Sequence, residues 1–425
     1  MSKQPINRSA GLIPASGLVV FCSVLLTVAP VAKAAFRITP VQNTRGDLAQ
    51  IGIPSINELG DLAFSGEFEL DGHRGIFRVT GSTRTTIATN DGELLAFGEP
   101  PAIDGAGVVT FVADRDDGGR SILSGSGGAL TTVARTGMDG ITDIVPFVTG
   151  NESGEVLFAA TAIPGNGTSG RGLYRVQDGI RTLMIAETFD HLVYGPIRDD
   201  FAIDNASTIY FENQWSGFSR ISQTRTVPFY FDVVTTQSSC AGRVFAAVEL
   251  LSAGPLGAVF YGSEEGGRRG IYLQNRAGNC ATAIADNSGP LDYFPQAAAS
   301  LDETGTTHVA YWALPDAGNS VIFAGPIGQP EAVIAVGDPL NASTVVELFM
   351  GRQAFNRSQQ LAFWARLADG TTGVYIAEPE SGGGGGGGRI DAPTVLLLAI
   401  GAARRWRRQS LIRPGRDRRL GSGPA

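Results

Sequence analysis

The chain is poor in the residues that most often carry enzyme chemistry. In 425 residues it has 3 cysteines and 3 histidines, and its lysines are confined to Lys3 and Lys33. His73, His191 and His308 fall in different parts of the chain without metal-ligand spacing, so each reads as a loop or surface residue. No nucleophile elbow, phosphate-binding glycine loop or zinc-type cysteine pairing occurs. Positive charge is scarce as well. Of 33 basic residues, 3 precede Ala35 and 9 follow Gly388, leaving 21 against 39 acidic residues between them, a formal charge of −18. Such a surface repels nucleic-acid phosphates and anionic lipid, which excludes a nucleic-acid partner, and it favours solubility or cations.

What the chain does have is a block that returns. It is clearest as Asn57-Glu58-Leu59-Gly60-Asp61-Leu62-Ala63-Phe64, and its aromatic recurs at Phe111, Phe158, Phe211, Phe260, Tyr311 and Phe363, in steps of 47, 47, 53, 49, 51 and 52 residues. That is the period of a four-stranded propeller blade. Asn57, Asp104, Asn151, Asp204 and Asn356 each stand seven residues before the aromatic, where a side-chain oxygen can close a turn on its own backbone. Gly60, Gly107 and Gly154 can take the positive φ that ends such a turn. A compact residue before the aromatic suits a crowded inner strand, and the aromatic fills the space between neighbouring sheets.

Within the first unit the strands read as Asp61 to Phe68, Gly75 to Val79 and Thr85 to Thr89, with a weaker fourth around Leu94 to Phe97. The fourth unit is the most degenerate, with Phe218 and Val234 loosely in place. These features predict an all-β fold, a seven-bladed β-propeller with an antiparallel sheet in each blade, over residues 35–381, with a six- or eight-bladed ring or an open β-solenoid as the alternatives. The seventh unit supplies Gln360 to Arg366 and Gly373 to Ala377 and then meets a glycine tract. The ring is therefore expected to close through strands from both ends sharing one blade: Phe36 to Thr39 beside Gly373 to Ala377, with Leu48 to Ile53 as its fourth strand.

The blocks resemble the bacterial secreted proteins built from tandem Asn-x-x-Gly-x-x-Ala-Phe repeats with variable C-terminal anchors. Asn57, Gly60, Ala63 and Phe64 match in full; Asn151, Gly154 and Phe158 match with Leu157 in place of alanine; Asn356, Ala362 and Phe363 match with Gln359 in place of glycine. The resemblance implies export and surface association, and it brings no catalytic residues with it.

Both ends fit that picture. Residues 1–34 join Lys3 and Arg8 to an apolar run, Gly17 to Val31, and end on small residues, as a signal peptide cleaved after Ala34 does. A retained anchor is the alternative, although the run is shorter than the ~20 residues a spanning helix needs. Residues 382–388 are a glycine linker. Residues 389–425 hold a short apolar stretch, Pro393 to Ala403, and the arginines Arg404, Arg405, Arg407 and Arg408. Together they resemble a GlyGly-type C-terminal sorting signal, which implies an intramembrane sorting protease as partner, transient membrane contact and a Gram-negative source. Asp391, the short apolar stretch and the polar tail from Gln409 depart from that pattern, and a disordered basic tail is the alternative.

With Cys22 removed in the leader, Cys240 and Cys280 are the cysteines left; an even count in an exported protein fits one disulfide between the fourth and fifth units. Two free buried thiols are the other reading. No cofactor is implied. Calcium is invited only by Asp114, Asp116 and Asp117 ahead of Gly118-Gly119, where a solvated hairpin turn explains the same residues. The function that follows is an exported, surface-associated or secreted non-catalytic binding or scaffold propeller for an extracellular protein or glycan. The alternative is an extracellular hydrolase or lyase with acidic residues at the central channel.

Overall fold

A computed structural model describes residues 36–98, 100–163, 170–187, 197–215, 218–226, 229–235, 239–240, 243–275, 281–301, 304–315 and 318–380. The expected leader, the sorting segment, His191 and Cys280 lie outside the described residues, so the proposed disulfide falls outside them as well.

The described strands form seven antiparallel sheets arranged as blades. Blade 3 is the most regular: Ile141–Gly150, Val156–Ala162, Gly170–Gln177 and Ile180–Ala186, hydrogen-bonded in that order. Blades 4, 5 and 6 repeat it from Ile197–Ile203, Arg243–Gly254 and Leu291–Leu301 onward. The first strands of the blades end together, since residues 149–152, 202–205, 252–255, 298–300, 352–353 and 355–356 line one opening. They are the inner strands.

Each anchor aromatic sits on the second strand, and all seven are buried. In five blades it faces an aromatic directly across the next strand: Phe64–Phe77, Phe158–Tyr174, Phe260–Tyr272, Tyr311–Phe323 and Phe363–Tyr375, with ring centroids 5.1 to 5.7 Å apart. Such cross-strand pairs add stabilisation beyond their burial. Blade 4 has Ser222 opposite Phe211, which is why its unit looks degenerate; Ile221 holds the buried position and pairs with Val234, while Phe218 starts the strand opposite Trp215.

The ring closes as the sequence predicts. Phe36–Asn43 is the outer strand of blade 7 and pairs antiparallel with Thr372–Pro379: Phe36 faces Pro379, Ile38 faces Ala377 and Thr39 faces Ile376. Two expectations of phase are corrected. Leu48–Ile51 is not the fourth strand of the closing blade but the inner strand of blade 1, with Leu48 opposite Phe68. Likewise Leu94–Phe97 is not the fourth strand of blade 1 but the inner strand of blade 2, with Leu94 opposite Arg115. The anchor strand is therefore second from the channel, not innermost. The closing blade takes four strands from the C-terminal side, the shortest being Pro339–Leu340, and one from the N-terminal side.

Candidate functional site at the channel

The repeated turns between first and second strands gather at one mouth of the ring. Each is built as the sequence predicts: Asn57 Oδ1 accepts the backbone N–H of Leu59 and Asp61, at 3.1 and 2.8 Å, and Asp104, Asn151 and Asp204 do the same. Gly60, Gly107 and Gly154 have φ of 85, 77 and 79°, and Ser207 and Gln359 hold the same place at 61°.

The other atom of the asparagine does what the repeat pattern did not suggest. Asn57 Nδ2 donates to the Asp104 carbonyl at 2.8 Å, Asn151 Nδ2 to the Asp204 carbonyl at 2.9 Å and Asn356 Nδ2 to the Asn57 carbonyl at 2.9 Å. Each bond joins one blade to the next.

A second set of contacts crosses the mouth. The Arg357 N–H donates to Glu58 Oε2 at 2.7 Å, the Glu58 N–H to Glu152 Oε2 at 3.2 Å and the Glu152 N–H to Asn205 Oδ1 at 3.0 Å, linking blades 7, 1, 3 and 4. Burial pushes the Glu152 carboxyl up to about 7, helped by the charges of Glu58 and Asp104 and opposed by the Glu58 N–H.

Below the mouth, blade 7 departs from its neighbours. Its inner strand stops at Phe349, and residues 350–355 turn into the channel. Gln353 Nε2 donates to the Ile103 carbonyl of blade 2 at 2.7 Å. Arg352 pairs with Asp200 of blade 4 and lies over the Phe147 ring of blade 3, 5.0 Å from its centroid. The closing blade thus props the ring from inside.

Arg352 and Asp200 belong to one layer of the channel. Asp200, Phe147, Arg352, Ile53 and Pro100 each stand four residues before the Asn or Asp of their turn. In blade 5 Glu249 takes the corresponding place, just before Leu250, which faces the anchor Phe260. Three blades therefore supply apolar groups and three supply charge. Behind the charged side, Glu212 is 2% exposed and pairs with Arg198 at 3.2 Å. Burial pushes the Glu212 carboxyl up to about 7, with Arg198 opposing and Asp200 adding to the rise; burial and Asp200 also push Glu249 up. Sequence reasoning missed these charges because it placed the anchor strand innermost; the fixed offset from the turn would have found Asp200 and Arg352.

The other candidates lie elsewhere. His73 is exposed in a hairpin with Nδ1 3.2 Å from Asn90 Oδ1, whereas His308, expected at the surface, is buried at 6% exposure on the second strand of blade 6. Asp114 accepts from Arg120 at 2.9 Å and Asp117 from Arg135 at 2.7 Å, at the hairpin of blade 2. Among the described residues no group of three or more His, Cys, Asp or Glu is placed to hold a metal ion.

No protein-family model matches the chain, and no curated protein matches it. Solved structures do. The β-propeller domain of the Trilobed protease from Pyrococcus furiosus, described as having an open velcro topology, is 11% identical with a TM-score of 0.48, over 77% of this chain and 95% of that one. A puromycin-hydrolyzing peptidase of Mycobacterium tuberculosis is 12% identical with a TM-score of 0.48, over 82% of this chain and 54% of that one. The acylaminoacyl peptidase of Pyrococcus horikoshii is 10% identical with a TM-score of 0.46, over 77% and 51%. The chain spans about half the length of these two peptidases. The class, a seven-bladed β-propeller, stands on the sheet topology itself.

Proposed function

We propose that the chain is an exported binding or scaffold propeller of the tandem Asn-x-x-Gly-x-x-Ala-Phe class, carried to the cell surface or released, with its polar mouth as the recognition face. The observation that carries this reading is the mouth itself. Turns of six blades meet there and present Glu58, Glu152, Asn205 and Arg357 around one opening. The partner is an extracellular protein or glycan. The leader and the glycine-arginine tail supply export and sorting.

A second reading, a hydrolase or lyase, draws on the convergence of Asp200, Glu212 and Glu249. Against it, the carboxylates lie inside the channel rather than at its mouth, Glu212 is nearly fully buried, and Arg352 already occupies Asp200. A glycan array and an envelope pull-down with Glu58→Arg/Arg357→Glu and with Glu212→Gln separate the two. Binding lost only in the mouth variant supports the binding module. Turnover of a glycan lost only in Glu212→Gln supports the enzyme. Mass spectrometry of surface protein that returned the chain intact from Met1 to Ala425 would overturn the export and sorting reading.

A further inference from the structure

Blades 1 and 3 carry a second latch, beside the asparagine, that blade 2 between them lacks. In blade 1 Asp61 follows the turn glycine and Arg78 stands across the sheet from Ala63. Arg78 Nη1 donates to the Gly107 carbonyl of blade 2 at 2.7 Å. The contact is so close that a Cβ on Gly107 would lie 2.8 Å from Arg78 Nη1 and 3.3 Å from Asp61 Oδ2. Blade 3 repeats the device. Glu155 follows its turn glycine, Arg175 stands opposite Leu157 and lies 3.4 Å from Glu155, and the Ser207 hydroxyl of blade 4 donates to Glu155 Oε2 at 2.6 Å.

In blade 2 the same two places hold Val108 and Ser124, the latter opposite Thr110. Neither reaches blade 3. A Cβ on Gly154 would meet only Asp104 Oδ2, at 3.2 Å. Where the arginine stands in the neighbouring blades, a cavity of about 350 Å³ opens between blades 2 and 3. The Thr110 and Ser124 hydroxyls lie 2.7 Å apart on its wall. Asp104, Glu155 and Asp178 border it, Glu155 pairing with Arg175 behind it at 3.4 Å; Val108, Val156 and Val176 give it an apolar side, and no Arg or Lys is among the described residues that line it.

We infer that this cavity is a binding site for a small amino sugar carrying a protonated amine, of the glucosamine class. The size is at the lower end of ligand sites, about 300 to 1,000 Å³, and suits a pyranose ring. Hydroxyls paired on one wall exchange hydrogen bonds with ring hydroxyls, and the valines take the apolar face of the sugar. Asp104 and Asp178, which face no basic side chain in the lining, select an ammonium over a neutral or anionic substituent. The cavity adjoins the mouth, sharing Gly150 and Asn151 with it, but the inference rests on Thr110, Ser124 and Asp178, which do not line the mouth.

The test is calorimetry or ligand-observed NMR on the full chain at neutral pH with glucosamine, N-acetylglucosamine and glucose. Saturable glucosamine binding is expected, with the two neutral sugars weaker by about tenfold or more, equivalent to about 1.4 kcal/mol. Ser124→Arg, which imports the arginine of blades 1 and 3, fills the cavity and abolishes binding while leaving the unfolding temperature unchanged or raised. If that variant folds poorly, Thr110→Val keeps the volume, removes one hydroxyl and weakens glucosamine by a factor of about three or more. Absence of saturable glucosamine binding, equal binding of all three sugars, or undiminished binding by Ser124→Arg or by Thr110→Val would each overturn the proposal.

Discussion

The junctions led by asparagine and those led by aspartate differ at one side-chain atom and in what that atom can reach. Either residue closes its own turn, because both offer Oδ1 to the N–H groups that follow. Only asparagine adds a donor. Asn356, Asn57 and Asn151 therefore bind the next blade, whereas Asp104 and Asp204 accept within their own turn and leave the joining to other groups. Blade 2 reaches blade 3 through the Gly105 N–H to the Glu152 carbonyl, at 3.2 Å. Blade 5 reaches blade 6 through the Ser252 hydroxyl to the Ala297 carbonyl, at 2.8 Å. The seam between blades 7 and 1, which the chain itself crosses from Asn43 to Leu48, carries Asn356 to Asn57, Arg357 to Glu58 and Trp364 Nε1 to the Ile51 carbonyl at 2.6 Å. The ring closes without a covalent link inside blade 7, where Phe36–Asn43 pairs with Thr372–Pro379.

The largest test of that comparison removes the strand that closes the ring. Deletion of residues 36–43 strips the outer strand from blade 7, with its ladder to Thr372–Pro379 and the Arg37–Glu378 pair. It is expected to cost more than about 4 kcal/mol, a large part of the stability of an ordinary domain, and to abolish a single cooperative transition followed by circular dichroism. A sharp transition at an unchanged temperature would mean that the blades hold without closure.

Exchanging the two residue types tests the donor directly. Asn57→Asp and Asn356→Asp keep the turn and set a carboxylate oxygen against a buried carbonyl, at a cost of about 2 kcal/mol each. Asp104→Asn is expected within about 0.5 kcal/mol of the parent or better, since it keeps the turn and adds a donor. Urea midpoints decide it, and equal losses in all three variants would show that the junctions are equivalent.

Much of this was legible in the sequence because it repeats. Seven anchors at a steady step fix the number of blades, and Asn57 with Gly60 fixes the turn that joins two strands. Closure by Phe36 to Thr39 was legible too, because the seventh unit ends two strands short of the others. Phase was not. Leu94–Phe97 is separated from the strand before it and the strand pair after it by similarly short connections, so order along the chain does not say which neighbour it bonds. Pairing depends on the long-range geometry of the ring. Misplacing that strand hid the channel, and with it Asp200, Glu249 and Arg352, which recur at one register but not as one residue type. The donor role of Asn57 was equally hidden, since its acceptor lies 47 residues away.

The two sides of the channel layer give a pH test. Glu212 titrates at about 7 in the ring, against an ordinary glutamate value of 4.5 in the unfolded chain. The folded state therefore holds the proton more tightly. Its contribution is complete below about 4.5 and is lost as pH rises through about 7, on the order of 2 kcal/mol. Glu152 and Glu249 act in the same direction. Carboxylates held low have the opposite sign: Asp47 by Arg84, and Glu378 by Arg37, stabilise above the ordinary carboxylate value and lose that as pH falls. Stability is thus expected to peak in mildly acid solution. Glu212→Gln removes a titrating group from the charged side and should flatten the decline between pH 5 and 8 by about a third or more, measured as unfolding free energy against pH. An unchanged slope would exclude Glu212 as its source.

The smallest effect expected sharpens the comparison at the turns themselves. Gln359 and Ser207 stand at the turn position that holds glycine in blades 1 to 3, and both carry φ of 61°, where a side chain is strained. Replacing a residue there by glycine relieves that strain, and the gain is partly offset because glycine gives the unfolded chain more freedom. For Gln359→Gly the balance is a gain of about 0.5 kcal/mol, since the Gln359 contact to the turn is its backbone N–H to the Asn356 carbonyl, which glycine keeps. Ser207→Gly relieves the same strain but loses the hydroxyl that donates to Glu155 Oε2 at 2.6 Å, and Glu155 is fully buried. Leaving that carboxylate short of a donor costs about 1 to 2 kcal/mol. The two variants, alike in backbone, are therefore expected to move the urea midpoint in opposite directions, Gln359→Gly upward and Ser207→Gly downward. If both rise, Ser207 contributes no link between blades 3 and 4, and that junction rests on Asn151 and the Glu152 N–H.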